Sequence, residues 1–194
     1  MCYNSMKGKI IIVSAPSGCG KSTIIRAIME RGKVDLKFSV SATNRQPRTG
    51  EIDGVSYHFI TTEQFRDYIA QGAFVEYEEV YPGRYYGTLK SEITERVDRG
   101  EIVVLDIDVK GGVNVKKMFG ADALSLYIMP PSVDELRRRL EGRATDSAED
   151  IDKRVSKAEF ELTYAPFYDV RVVNDELDKA VEEAENIILK FVNS

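Results

Sequence analysis

The run Ile10-Ile11-Ile12-Val13 has no polar alternation, and it passes through Ser14 into a turn bearing Gly18 and Gly20 and then into a helical pattern from Lys21. A strand that is apolar on both faces must be covered on both, which demands a sheet held between layers of helix. The pattern recurs at residues 102–105, 124–129 and 170–173, each separated from the next by helical stretches. Alternation of this kind predicts parallel strands joined by crossover helices, an α/β class. Ile24, Ile25 and Ile28 share one face of the first helix, and Gly32 follows where a left-handed cap costs glycine least. Leu177, Val181, Ala184, Ile188 and Phe191 mark a closing helix that packs on the sheet.

With 194 residues, 43% hydrophobic and 30% charged, the chain suits one domain and excludes fibrous or disordered classes. Lysine and arginine number 27 against 32 acidic residues, a net charge of −5. No excess of cations is available for a long phosphate backbone, so nucleic acid is not an expected partner. A phosphate ligand has to be captured locally, by a few arginines and backbone amides. Cys2 and Cys19 are too few for a disulfide framework, and no apolar run approaches the ~18 residues of a membrane span. The expected setting is cytoplasmic, with no membrane partner. The opening residues lack the basic flank and apolar stretch of a secretory signal, and Met6 is an alternative start to Met1.

The turn reads Ala15-Pro16-Ser17-Gly18-Cys19-Gly20-Lys21-Ser22, which follows the phosphate-loop pattern G-x-x-x-x-G-K-[ST] except for alanine in its first position. Glycines in such a loop let backbone N–H groups face a β-phosphate, the helix adds its positive end, Lys21 reaches the β/γ oxygens and Ser22 ligates Mg²⁺. A glycine-rich turn without a ligand explains Gly18 and Gly20 but not Lys21-Ser22 directly behind a buried strand. Cys19 is either a thiol activated by the helix start and Lys21 or a small loop residue. Asp106 and Asp108 stand at the end of the strand at 102–105, where an acid holds or orients hydrated magnesium, and Asp108 has turn capping as its alternative. Asp108-Val109-Lys110-Gly111 also fits the D-x-x-G of GTPase switch loops, but the companion N-K-x-D element is absent.

Two stretches interrupt the alternation. Residues 36–88 hold short half-polar strands, tyrosines from Tyr57 to Tyr86 and a helix near residues 63–70 that Thr61 and Gln64 cap, so a small inserted lobe of antiparallel strands is expected. Residues 137–164 are dense in arginine and acid, with capping boxes Ser132/Glu135 and Ser147/Asp150, and suit a polar helical lid. The core then comprises about residues 1–35, 89–136 and 165–194. Within the lobe, Arg45 and Arg48 lie three apart, with Tyr57 and Tyr85-Tyr86 farther on. Guanidinium forks with phenolic donors make a site for a terminal phosphate monoester. A phosphate acceptor, with a second pKa of about 6, needs charge neutralisation rather than a general base. The one histidine, His58, between Tyr57 and Phe59, reads as structural.

The run from Thr43 to Ile60, with Arg45, Arg48, Glu51, Gly54, Tyr57 and Phe59 at their spacings, resembles the signature of guanylate kinases. With the phosphate loop, Phe74-Val75-Glu76-Tyr77, Tyr85-Tyr86-Gly87-Thr88, Leu105-Asp106-Ile107-Asp108 and Val173-Asn174-Asp175, the resemblance covers nearly the whole chain. It implies a phosphate-loop kinase core with an inserted nucleoside-monophosphate lobe and a helical lid, converting ATP and GMP to ADP and GDP with Mg²⁺, in purine nucleotide metabolism. It further implies that Ser41, Arg45, Arg48, Tyr57 and Tyr86 hold the GMP phosphate while Glu76 and Thr88 read the base. Glu76 can accept from guanine N1–H and the 2-amino group together, and Thr88 can donate to O6. A charge on a strand face is the alternative for Glu76. Lys21, Arg45, Arg143 and Arg154 would act on the transferring phosphoryl group, with Arg137, Arg138 and Arg139 nearby. Asn174 would sit near the adenine, or cap the last helix. Glu51 and Asp108 would support the guanosine site or metal waters. Asn44, Ala15 and Ala144 depart from the family pattern, Ala144 at the lid hinge. Two rivals remain: a guanylate-kinase-like module that binds phosphorylated peptide without catalysis, and a kinase for another nucleoside monophosphate. Oligomeric state is open, a homodimer being one alternative.

Overall fold

A computed structural model describes residues 8–142 and 148–194. Its centre is a five-stranded parallel sheet in the order β2-β7-β1-β8-β9, built from β1 (Lys9–Ser14), β2 (Leu36–Phe38), β7 (Ile102–Asp106), β8 (Ala123–Met129) and β9 (Val170–Val173). The four expected core strands are all present. Strand β1 lies between β7 and β8, so the loops leaving β1 and β7 open side by side at one end of the sheet, where parallel α/β sheets hold their ligands.

The apolar run of β1 divides between two cores. Ile11 and Val13 face α1 (Lys21–Arg31) and α7 (Leu177–Val192), joined by Ile24, Ile25, Ile28, Val181, Ala184 and Ile188. Ile10 and Ile12 face α3 (Lys90–Asp98) and α4 (Val109–Phe119), with Ile93, Val97 and Val115. Burial of a strand on both sides is the reason no polar residue interrupts it. Gly32 takes φ 66° just beyond α1, the left-handed conformation open to glycine.

A second sheet, ordered β4-β3-β6-β5, forms the inserted lobe from β3 (Ala42–Thr43), β4 (His58–Phe59), β5 (Phe74–Tyr81) and β6 (Arg84–Leu89). The lobe packs on α2 (Thr62–Ala70) through Phe65 and Phe74, whose rings stack 4.4 Å apart between centroids. Thr61 and Gln64 close the expected capping box. Two differences from the sequence expectation stand out. The sheet is mixed, because β3 and β4 run parallel. Strand β2, which opens the segment assigned to the lobe, hydrogen-bonds to β7 in the core sheet. Only Leu36 of that strand is buried, so its pattern carries no mark of a core strand.

The expected lid is an α5 (Val133–Glu141) and α6 (Ala148–Leu162) hairpin whose inner face carries Leu136, Leu140, Ile151 and Val155. It starts before residue 137, since Ser132 caps α5 by accepting from the Glu135 amide at 3.1 Å. Arg143, Ala144 and Ser147, named above for the lid, lie outside the described residues.

Candidate active site

The turn after β1 delivers the eight loop residues to the sheet's ligand-bearing end. Gly18 and Gly20 adopt φ 93° and 82°, conformations that side-chain-bearing residues rarely take. Gly20 is the N-cap of α1 and has no side chain to cap it, and no acidic residue stands in the first turn, so nothing local offsets the positive helix end that phosphate loops turn toward an anion. Lys21 Nζ is ion-paired with Asp106 and lies 3.4 Å from the Ile107 carbonyl, while Ser22 Oγ donates to Asp106 Oδ2 at 2.9 Å. Lysine, hydroxyl and carboxylate thus converge where phosphate and a divalent ion are expected.

Cys19 is 1% exposed, and burial pushes its thiol up to about 12 against the opposing pull of Arg139. The activated-thiol alternative is therefore set aside: the residue fills the loop's apolar underside. Asn174 does not cap the last helix, a place held by Glu176. It is 6% exposed and donates its side-chain amide to the Cys19 carbonyl at 2.9 Å. Arg139 of α5 grips the carbonyls of Asn174 and Asp175 at 2.8 and 3.1 Å. Together with Gly18 and Gly20, Asn174 and Arg139 wall a cavity of about 480 Å³ beside the loop.

The lid helix touches the loop at Ser17. Arg154 donates to Ser17 Oγ at 2.9 Å. Glu161, seven residues on and so on the same face of α6, is 8% exposed; burial raises its carboxyl, with Lys157 and the Ser17 amide pulling the other way. Glu161 is absent from the sequence-based site. Its only sequence signal is that seven-residue spacing from Arg154, which any helix face shares.

On the lobe, Glu51 receives a two-pronged grip from Arg45, 2.6 Å at each oxygen, and a backbone bond from Arg48 at 2.7 Å. Those donors hold its carboxyl down to about 2. Arg45 also donates to Tyr86 Oη at 3.1 Å and lies 5.0 Å from the Tyr57 ring centroid. The structure therefore brings Arg45, Glu51, Tyr57 and Tyr86 into one cluster, with the Arg48 side chain beside it in an outer pocket shared with Arg45 and Gln46. Ser41, Tyr57 and Thr88 line a cavity of about 320 Å³ that Asp106 closes from the core side. His58 bonds Glu92 at 3.2 Å, in keeping with a structural role.

Across the β5–β6 ladder, Thr88 Oγ1 donates to Glu76 Oε1 at 2.7 Å. Burial raises the Glu76 carboxyl, Thr88 resists, and nearby Asp108 adds to the rise. Glu76 is not the solvated strand charge of the alternative reading. Asp108 caps α4, accepting from the Lys110 and Gly111 amides at 2.7 and 3.1 Å, and shares a cavity of about 500 Å³ with Glu76. The turn-capping alternative for Asp108 is thus realised, and its carboxylate still faces the cavity.

A five-stranded parallel sheet with an anion-ready loop, a basic and phenolic lobe facing it and an arginine-bearing helical hairpin define the class: a phosphate-loop phosphotransferase. A family model described as guanylate kinase matches residues 7–191. The chain is 51% identical over 188 residues to a guanylate kinase of Bacteroides thetaiotaomicron, spanning 97% of this chain and 92% of that one. It is 51% identical over 185 residues to a guanylate kinase of Salinibacter ruber, spanning 95% and 97%. The crystal structure of guanylate kinase from Anaplasma phagocytophilum superposes with a TM-score of 0.71 at 29% identity, covering 98% of this chain and 89% of that one. The chain belongs to the guanylate kinase family, and it is a kinase.

Proposed function

We propose that the chain transfers the γ-phosphoryl group of ATP to GMP, yielding ADP and GDP, in the cytoplasm and in the service of purine nucleotide metabolism. The observation that carries this reading is the position of Asp106. It is bonded to Lys21 and Ser22 on the donor side and also closes the cavity lined by Ser41, Tyr57 and Thr88 on the acceptor side. Donor phosphates on the loop and an acceptor phosphate on the lobe then meet across a single carboxylate.

GMP enters as a phosphate dianion, so no side chain has to remove a proton from the attacking oxygen. Arg45, Arg48, Tyr57, Tyr86 and Ser41 hold and neutralise it, and Glu76 with Thr88 grips the guanine edge, Glu51 and Asp108 supporting the two ends. One acceptor oxygen forms a bond to the γ-phosphorus as the bond to the β–γ bridging oxygen breaks, and ADP leaves with that electron pair. Lys21, Arg154 and Arg143 offset charge on the transferring group, the last lying outside the described residues. Asn174 holds the loop beneath the nucleotide. The lid excludes water that would otherwise hydrolyse ATP.

Magnesium fits the residues present. Ser22 Oγ and an Asp106 oxygen lie side by side, and Mg²⁺ is normally held by one or two protein oxygens plus phosphates and water. Among the described residues no group of three or more acidic, histidine or cysteine side chains forms a cage of its own, as suits an ion carried in with the nucleotide. When bound, the ion supplies charge neutralisation at the phosphate oxygens.

The test is ADP release from ATP with GMP, AMP, CMP and UMP as acceptors, with and without magnesium. GMP alone is expected to support fast turnover. Equal rates with AMP would overturn the assigned base reader, and no turnover with any acceptor would favour a binding module.

A further inference from the structure

Two chain crossings join lobe and core, one near residues 39–41 and the return near residues 88–92. Ser39 makes the last core-sheet bond, its amide donating to the Val104 carbonyl at 3.0 Å, and Ser41 makes the first lobe bond, its carbonyl accepting from the His58 amide at 2.9 Å. Between them, the Val40 amide donates to Glu92 Oε1 at 3.2 Å. Glu92 sits in the first turn of α3, just past the return crossing. Its other oxygen lies 3.2 Å from His58 Nε2 on β4. Arg96 donates to Oε1 at 2.6 Å and anchors the group to the core through Glu101 at 3.0 Å.

An i,i+4 pair such as Glu92–Arg96 on an open helix face is worth little and has no need of a backbone amide from another element. Here the carboxylate is 13% exposed, and a carboxylate so far withdrawn from water is favoured by several donors. Those donors come from the outgoing crossing, the lobe and the core. The residues next to the two gripped positions matter equally: Ser41 follows Val40 and Tyr57 precedes His58, and both line the acceptor cavity.

We infer that Glu92 is a positioning residue that braces both crossings and sets the angle at which the lobe presents Ser41 and Tyr57 to the phosphate loop. Phosphoryl transfer needs in-line approach within a fraction of an ångström, so a small rotation at Val40 weakens acceptor placement without touching the donor. The inference rests on the reading that the lobe receives GMP.

The experiment compares Glu92→Ala, Glu92→Gln, His58→Gln and the Glu92→Ala/His58→Gln double variant by steady-state kinetics and by hydrogen exchange of the nucleotide-free protein. Glu92→Ala is expected to raise KM for GMP about tenfold while KM for ATP stays within about twofold. His58→Gln should raise KM for GMP less, and the double variant no more than Glu92→Ala alone. Glu92→Gln, which keeps an acceptor for Val40, should recover part of the loss. Exchange at Val40 should quicken while β1 stays protected. Additive effects, equal rises in both KM values or unchanged exchange at Val40 would overturn the inference. Should Glu92→Ala not fold, Glu92→Gln and His58→Gln carry the same comparison. Failure of the unmodified protein to use GMP would sink the functional reading instead, and Val40 exchange would still report on the brace.

Discussion

Thr88 Oγ1 donates to Glu76 Oε1 at 2.7 Å across the β5–β6 ladder, so the two groups assigned to the guanine edge are joined before any ligand arrives. The bond takes the one hydroxyl proton of Thr88, which has to turn away from Glu76 to donate to guanine O6 when GMP binds, and burial raises the Glu76 carboxyl against it. A carboxyl raised in the folded state destabilises the ligand-free protein at neutral pH; stability from this group is fully present below its unfolded value and is lost as pH rises through the folded one. Glu76→Gln should therefore melt higher than the parent at pH 8 and raise KM for GMP by up to about 10⁴-fold, because an amide offers only one acceptor to two guanine donors. Because the GMP phosphate itself titrates at about 6, the matching pH profile is a KM for GMP that climbs further on acidification in the parent than in Glu76→Gln. Unchanged KM in Glu76→Gln would remove this residue from base recognition.

Glu51 behaves in the opposite sense. Arg45 and the Arg48 amide hold its carboxyl down to about 2 from an ordinary value near 4.5. The stabilisation is complete above about 4.5 and drains away as pH falls toward about 2. Urea midpoints measured from pH 7 to pH 2.5 should fall more steeply for the parent than for Glu51→Gln within that window. Parallel curves would show that the pair does not contribute to folding.

Helix α4 approaches β1 closely at Gly112, where an added Cβ would collide with Tyr168 Oη and lie 2.8 Å from Ser14 Oγ. Tyr168 is 4% exposed and donates to the Val109 carbonyl at 3.1 Å, so it has no room to retreat. Gly112→Ala is expected to cost about 1–3 kcal/mol by overpacking, read as a lower urea midpoint. A neutral substitution would mean that α4 slides outward freely.

Much of this was legible in the sequence, for physical reasons that also explain the rest. Ile10 to Val13 announces a doubly covered strand because burial on both faces admits no polar residue, and Lys21-Ser22 behind it marks the loop because phosphate chemistry demands those groups. Strand β2 was hidden because Leu36 alone is buried, and β3 and β4 are too short, at two residues each, to show a period or a direction. Asn174 and Glu161 depend on contacts across the fold, to Cys19 and Ser17, that no local spacing encodes. The cluster of Arg45, Glu51, Tyr57 and Tyr86 was visible as residue types, whereas the grip of Glu51 on Arg45 was not.

Cys19 offers a check on the loop's packing. With its thiol pushed up to about 12 by burial, it should resist a thiol reagent at pH 8 in a Cys2→Ser background and react only as fast as the protein opens. Prompt labelling of the folded protein would contradict the buried position beneath Asn174.

The most direct measurement is a calorimetric titration of GMP into the folded protein with magnesium supplied, repeated with AMP. Saturable heat at one GMP per chain, absent or far weaker with AMP, is the expected result. A flat titration with GMP, or equal heats from the two nucleotides, would contradict the central claim that this lobe is built to hold guanosine monophosphate against the loop.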